Sequence, residues 1–126
     1  MNSIKAGFYI LNIFAYADGI VDPSEVTIVF DFLADNFEGE FNLEEEVRFL
    51  DHLDNRQKLA LFYEAAEYLR QAVSLNSKIN LLEYIMDLII VDKRIESQEL
   101  DLLRELGAVW GIDTERLLYE KLNAGE

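Results

Sequence analysis

Six carboxylates stand at one repeated spacing: Asp18, Asp22 and Glu25 recur 74 positions later as Asp92, Glu96 and Glu99 in a chain of 126 residues. Three acids within eight residues can do two kinds of chemistry. They can gather oxygen ligands around a hard divalent cation such as calcium, magnesium or manganese. They can instead accept hydrogen bonds from the free backbone N–H groups that open a helix.

The two readings make different demands on the neighbouring residues. Asp18, Gly19, Val21, Asp22 and Glu25 fall in the fifth, sixth, eighth, ninth and twelfth places of a calcium-binding EF-hand loop, but Phe14 and Tyr16 occupy the first and third. Leu88 and Ile90 stand there in the second copy, so two leading oxygens are missing at each corner and any cation would be held weakly, on the order of 10⁻⁴ M or worse. Capping asks for less. Gly19 supplies a left-handed residue, Asp22 caps a helix that opens at Pro23, and Glu25 reaches back to complete a capping box. Glu96 or Ser97 with Glu99 repeats the device, while Lys93 and Arg94 bring positive charge to the second corner.

Other chemistry has few residues to work with. No cysteine is present, which removes disulfides, thiolate nucleophiles and cysteine-ligated zinc. The single histidine, His52, falls at a predicted helix end, and a hydrolase would have to be built around it. Glu83 and Asp87 sit four apart like half of a di-metal carboxylate site, yet no Glu-x-x-His accompanies them, and they read as the wet edge of an apolar helix. The expectation is a protein that is not an enzyme.

Charge narrows the choice of partner. The formal net charge is −14, of which residues 1–55 carry −10 (12 acids, 2 bases) and residues 56–126 carry −4 (13 acids, 9 bases). Nucleic acid and anionic membrane surfaces would be repelled. The densest run is Asp35, Glu38, Glu40, Glu44, Glu45 and Glu46. It is either a solvating surface or a docking face for a protein with a basic surface.

The elements that must position these groups are helices. Ile4 to Ala17 is apolar nearly all round and has to be enclosed by others, as does Ile79 to Val91, whose polar stripe is Asn80, Glu83 and Asp87. Val26, Val29, Phe30, Leu33 and Phe37 line one face of the helix after the first corner, and Leu100, Leu103, Leu106 and Trp110 line its counterpart. Leu43 to Leu53 is a short helix opened by Asn42 with Glu45 in the reciprocal place. A longer one carries Leu59, Phe62, Ala65, Ala66, Leu69 and Val73 up to about Leu75. Gly111 ends the late helix, and Asp113 or Thr114 caps a last one with Leu117, Leu118 and Leu122.

These patterns predict an all-α bundle of about seven helices in one domain spanning residues 1–126, with two pseudo-symmetric helix-corner-helix halves over 4–37 and 79–111. The aromatic residues are read mostly as core. Gly7 to Ala17 is too short to span a bilayer and no stretch reads as a signal peptide, so a cytoplasmic location without direct membrane insertion is expected.

The run Ala17-Asp18-Gly19, an apolar pair, Asp22-Pro23-Ser24-Glu25 and an amphipathic helix, returning as Asp92 to Glu99 before Trp110-Gly111-Ile112, resembles the TerB-like domain of tellurite-resistance proteins. That domain is similar to the N-terminal region of DjlA-type membrane-anchored co-chaperones. The resemblance implies an all-helical module with internal pseudo-symmetry that serves bacterial stress-response assemblies, among them ones with a membrane-anchored partner protein. It also implies divalent-cation binding through Asp18, Asp22 and Glu25, and through Asp92, Glu96 and Glu99, where Lys93 and Arg94 depart from the glycine-bearing pattern. A non-enzymatic interaction module docking through its acidic face is the leading expectation. The alternative is a metal sensor using the corners.

Overall fold

The computed structural model describes the backbone of residues 1–17, 23–91 and 97–123, and the side-chain surroundings of residues 1–14, 29–89 and 97–123. Seven helices account for nearly all of it, and the described residues contain no strand. They are α1 (Ser3–Ala17), α2 (Pro23–Asn36), α3 (Leu43–Asp51), α4 (Asn55–Ala72), α5 (Leu75–Val91), α6 (Ser97–Trp110) and α7 (Thr114–Asn123). An all-α bundle is thus what the periodicity predicts and what forms.

The nearly all-apolar α1 runs through the centre, where Ala6 and Ile10 are sealed from water and Phe8, Tyr9, Leu11 and Phe14 are nearly so. It packs chiefly on α4 and also touches α2, α5 and α6. The Phe14 ring meets Phe62 of α4 edge-on at 6.1 Å, the geometry that aromatic quadrupoles favour. On α5, Leu81, Leu82, Ile85, Met86 and Ile89 are buried, and Asn80, Glu83 and Asp87 form the wet stripe.

The two arms run in the same order, α1 to α2 and α5 to α6. They are joined where Phe32 stacks on Tyr84 at 4.2 Å and the Asn80 amide donates to Asn36 Oδ1 at 3.2 Å. The principal partner of the central helix is nonetheless α4, which lies between the repeats in sequence.

Helix ends follow local chemistry that periodicity only partly reveals. Asn42 Oδ1 accepts from the Glu45 N–H at 3.2 Å, opening α3 as expected. Pro23 is the first residue of α2, the position at which its missing N–H costs nothing. The structure opens α4 at Asn55, four residues before its first patterned leucine, because Asp54 and Gln57 form a complete capping box (2.8 and 2.9 Å). The α4 helix stops at Ala72, and Val73 turns extended as its cap, so Leu75 belongs to α5. Ser74 then caps α5, its Oγ accepting from Ser77 N–H at 3.2 Å.

Candidate functional site

Five of the six corner acids, Asp18, Asp22, Glu25, Asp92 and Glu96, lie outside the residues whose surroundings are described. The sixth, Glu99, is described and is only 1% exposed in the first turn of α6. It is engaged there by hydrogen-bonding or charge interactions, and a carboxylate at a helix N-terminus is favoured by the partial positive charge of the free N–H groups. Among the described residues no three acidic or histidine side chains come together as a cation site.

His52 ends α3, exposed, with its Nδ1 2.7 Å from the Arg48 carbonyl oxygen. A carbonyl can only accept, so Nδ1 carries the proton and closes the helix end. Asp87 is held by Lys121 of α7, and Glu83 faces water. A shallow apolar groove of about 200 Å³ between α6 and α7 is lined by Leu100, Leu103, Leu118, Tyr119 and Leu122; the Arg104 and Glu115 side chains on its rim are bonded to each other at 2.7 Å.

The acidic run is where the structure assembles a distinctive surface. It covers the end of α2, the connection around Gly39 and the first turn of α3. The connection is fixed to the start of α1 by Asn2, whose amide donates to the Glu40 carbonyl at 2.9 Å, and by Ile4 N–H donating to the Glu38 carbonyl at 3.2 Å. Gly39 adopts φ +135°, a backbone that favours glycine, and a Cβ there would lie 2.4 Å from the Asn2 side chain and displace its amide.

Held this way, Asp35, Glu38, Glu40, Glu44 and Glu45 are all exposed, and none makes an ion pair with a described residue. The later half treats its acids differently. Glu67, Asp87, Asp101, Glu115 and Glu120 each contact an arginine or lysine. The charge asymmetry of the sequence is therefore also an asymmetry of pairing. Arg48, the one base of α3, is exposed and forms no ion pair with a described residue.

Glu46 corrects the expectation that all six acids share this face. It points inward and is 7% exposed, accepting a short hydrogen bond from the Tyr9 hydroxyl of α1 and facing Lys5 Nζ at 3.5 Å. The reason is helical geometry: Glu46 lies four residues before Leu50, the fully buried anchor of α3, and so shares its inward stripe. Glu44 and Glu45 are turned away by about 200° and 100° at 3.6 residues per turn.

Burial, and after it the hydrogen bond to Glu46 and the charges of Glu46 and Glu64, raise the pKa of the Tyr9 phenol far above its ordinary value of 10.0. The unfolded chain releases that proton near pH 10 while the folded chain retains it. Stability from this group is therefore whole below about pH 10 and declines as pH rises beyond it. Denaturation curves recorded between about pH 8 and 11 should show this decline, and Tyr9→Phe should flatten it. An unchanged alkaline slope in that variant would mean that Tyr9 is not responsible.

A second feature of the same surface is aromatic. A chain of ring contacts runs from Phe30 to Phe41 (5.6 Å), Phe8 (5.0 Å), Tyr9 (6.4 Å) and Phe49 (5.8 Å). Its middle is core, but Phe30 and Phe49 at its ends are 36% and 45% exposed, and Phe41 is half-buried. Reading Phe30 as core thus holds only in part. Neither Phe41 nor Phe49 stands on a predicted apolar stripe; the signal the sequence offers is Glu45 and Phe49 four apart on one face of α3.

An all-helical bundle whose acidic surface forms no ion pair with a described residue is the class that fold and site define. The chain belongs to the TerB family: the family model described as "Tellurite resistance protein TerB" matches residues 6–118. The match spans α1 to α7 and includes both acidic corners. No curated protein and no solved structure matched the chain. No helix among the described residues is long and apolar enough to cross a membrane.

Proposed function

We propose that this TerB-family chain is a non-enzymatic interaction module, working in a bacterial stress-response assembly and docking a basic partner protein through Asp35, Glu38, Glu40, Glu44 and Glu45. The observation that carries the reading is that none of these five carboxylates forms an ion pair with a described residue, whereas Glu67, Asp87, Asp101, Glu115 and Glu120 of the later half do. Holding like charges together on a fixed surface opposes folding slightly, and a cationic partner removes that repulsion on binding. The stress-response setting rests on family membership.

Neutralising the face without touching Glu46 tests the proposal. A variant carrying Glu38→Gln, Glu40→Gln, Glu44→Gln and Glu45→Gln should keep the helical fold and lose cross-linked partners that the parent retains in host extracts at low salt. The difference should shrink at high salt, where screening weakens the parent too. Equal retention by both proteins would reduce the face to a solvating surface.

A further inference from the structure

The exposed rings at the edge of the acidic surface need an account of their own. Single exposed apolar residues are ordinary. Here, however, Phe30 and Phe49 are the two open ends of one continuous chain of tilted and edge-on ring contacts whose buried centre fixes them. Exposed acids stand close to these rings in sequence: Asp31 follows Phe30, Glu40 precedes Phe41, whose ring touches Phe30, and Glu45 lies one helical turn before Phe49. The combination of rigid π faces and unpaired negative charge matches one side chain better than any other.

We propose that this face binds an arginine-rich segment of a partner protein, with guanidinium groups lying on the Phe30 and Phe49 rings and pairing with the carboxylates around them. The proposal rests on the docking role argued above and specifies the chemistry of its partner. Guanidinium is planar and weakly hydrated, stacks on aromatic faces and forks onto carboxylates, whereas a lysine ammonium is a compact, strongly hydrated charge that gains less from an exposed ring. A second copy of this chain is a poor occupant. It also carries −14, its Arg70, Arg104, Arg116 and Lys121 already contact carboxylates of their own chain, and its exposed Arg48 and Arg56 stand well apart in sequence rather than in an arginine-rich run.

Fluorescence anisotropy with two labelled probes, an Arg-Gly repeat peptide and a Lys-Gly repeat peptide of equal length, separates the contributions. The parent should bind the arginine peptide roughly three- to tenfold more tightly than the lysine peptide, the range expected for one or two exposed cation–π contacts. In the double variant Phe30→Leu, Phe49→Leu, which keeps apolar volume but removes the π faces, that preference should vanish while lysine-peptide binding persists. The four-glutamine variant should weaken both peptides alike.

Several results would overturn the proposal. If the parent shows no arginine preference, or the leucine variant keeps it, the rings are not the reading element, though loss of binding in the glutamine variant would still support acidic docking. If the parent binds neither peptide at low salt, the docking role fails as well. Concentration-dependent dimerisation that is relieved by Phe49→Leu would assign the face to a second copy.

Discussion

Glu46→Lys should cost about 3 kcal/mol of stability, while Glu45→Lys, one residue earlier in the same acidic run, should cost no more than about 1 kcal/mol. The first change places an ammonium in a site that is 7% exposed, removes the acceptor of the Tyr9 hydroxyl and sets a like charge against Lys5. Breaking a buried charge pair in this way costs roughly 3–5 kcal/mol, and the lower end applies because the Lys5 side chain remains 35% exposed and can turn to water. The second change acts through the first-turn dipole of α3, partly offset by relief of repulsion among the neighbouring acids, since Glu45 faces solvent.

Urea denaturation of the two variants beside Glu46→Gln separates these causes. The glutamine can still accept from Tyr9, so it should retain most of the stability that the lysine loses. Two lysine variants of equal stability would place Glu46 on the surface with its neighbours. The distinction matters for any dissection of the docking face, because reversing Glu44, Glu45 and Glu46 together would confuse lost binding with unfolding.

The same residue shows what the sequence can and cannot convey. The seven helices were legible because α1 and α5 are apolar nearly all round and the others carry stripes of period 3.6; Leu33, Phe62, Leu103 and Leu106 are buried as their spacing predicts. Charge density was equally plain. Which acid of Glu44-Glu45-Glu46 faces inward follows from the phase of α3, since Glu46 lies three after Leu43 and four before Leu50, but the partner that makes its burial tolerable, Tyr9 on a helix 37 positions away, leaves no trace in the local sequence. Asp54 with Gln57 is a readable capping box, and it opens α4 a full turn ahead of the apolar stripe by which periodicity marks the helix. The corner acids stay an expectation from sequence, apart from Glu99, whose burial agrees with a role inside the fold.

Gly107→Val should destabilise the protein by about 3 kcal/mol, the upper end of the usual range for overpacking, although Gly107 sits inside a helix where a Cβ normally helps. In an exposed helix interior, replacing glycine by alanine gains roughly 0.5–1 kcal/mol because the unfolded chain loses freedom. Here the sign reverses. A Cβ at Gly107 would lie 2.6 Å from the Ile112 carbonyl oxygen and 2.6 Å from Thr114 Cγ2, and the carbonyl is backbone that cannot swing aside.

That backbone is fixed by the way α6 ends. Ile112 N–H donates to the Gly107 carbonyl at 2.9 Å across a left-handed Gly111 (φ +67°), a Schellman closure that brings the chain back over Gly107. Asp113 Oδ1 then accepts from Arg116 N–H at 3.1 Å and launches α7, while Thr114 is buried against the turn. Valine at 107 must push this whole connection outward, and with it Leu118, which α7 delivers to the core. Gly111→Ala is the control: nothing lies within 4 Å of its Cβ, so only the left-handed backbone is penalised, by about 1–2 kcal/mol. Denaturation midpoints should therefore rank parent above Gly111→Ala above Gly107→Val. If Gly107→Val matched the parent, the close return of the chain over α6 would be wrong.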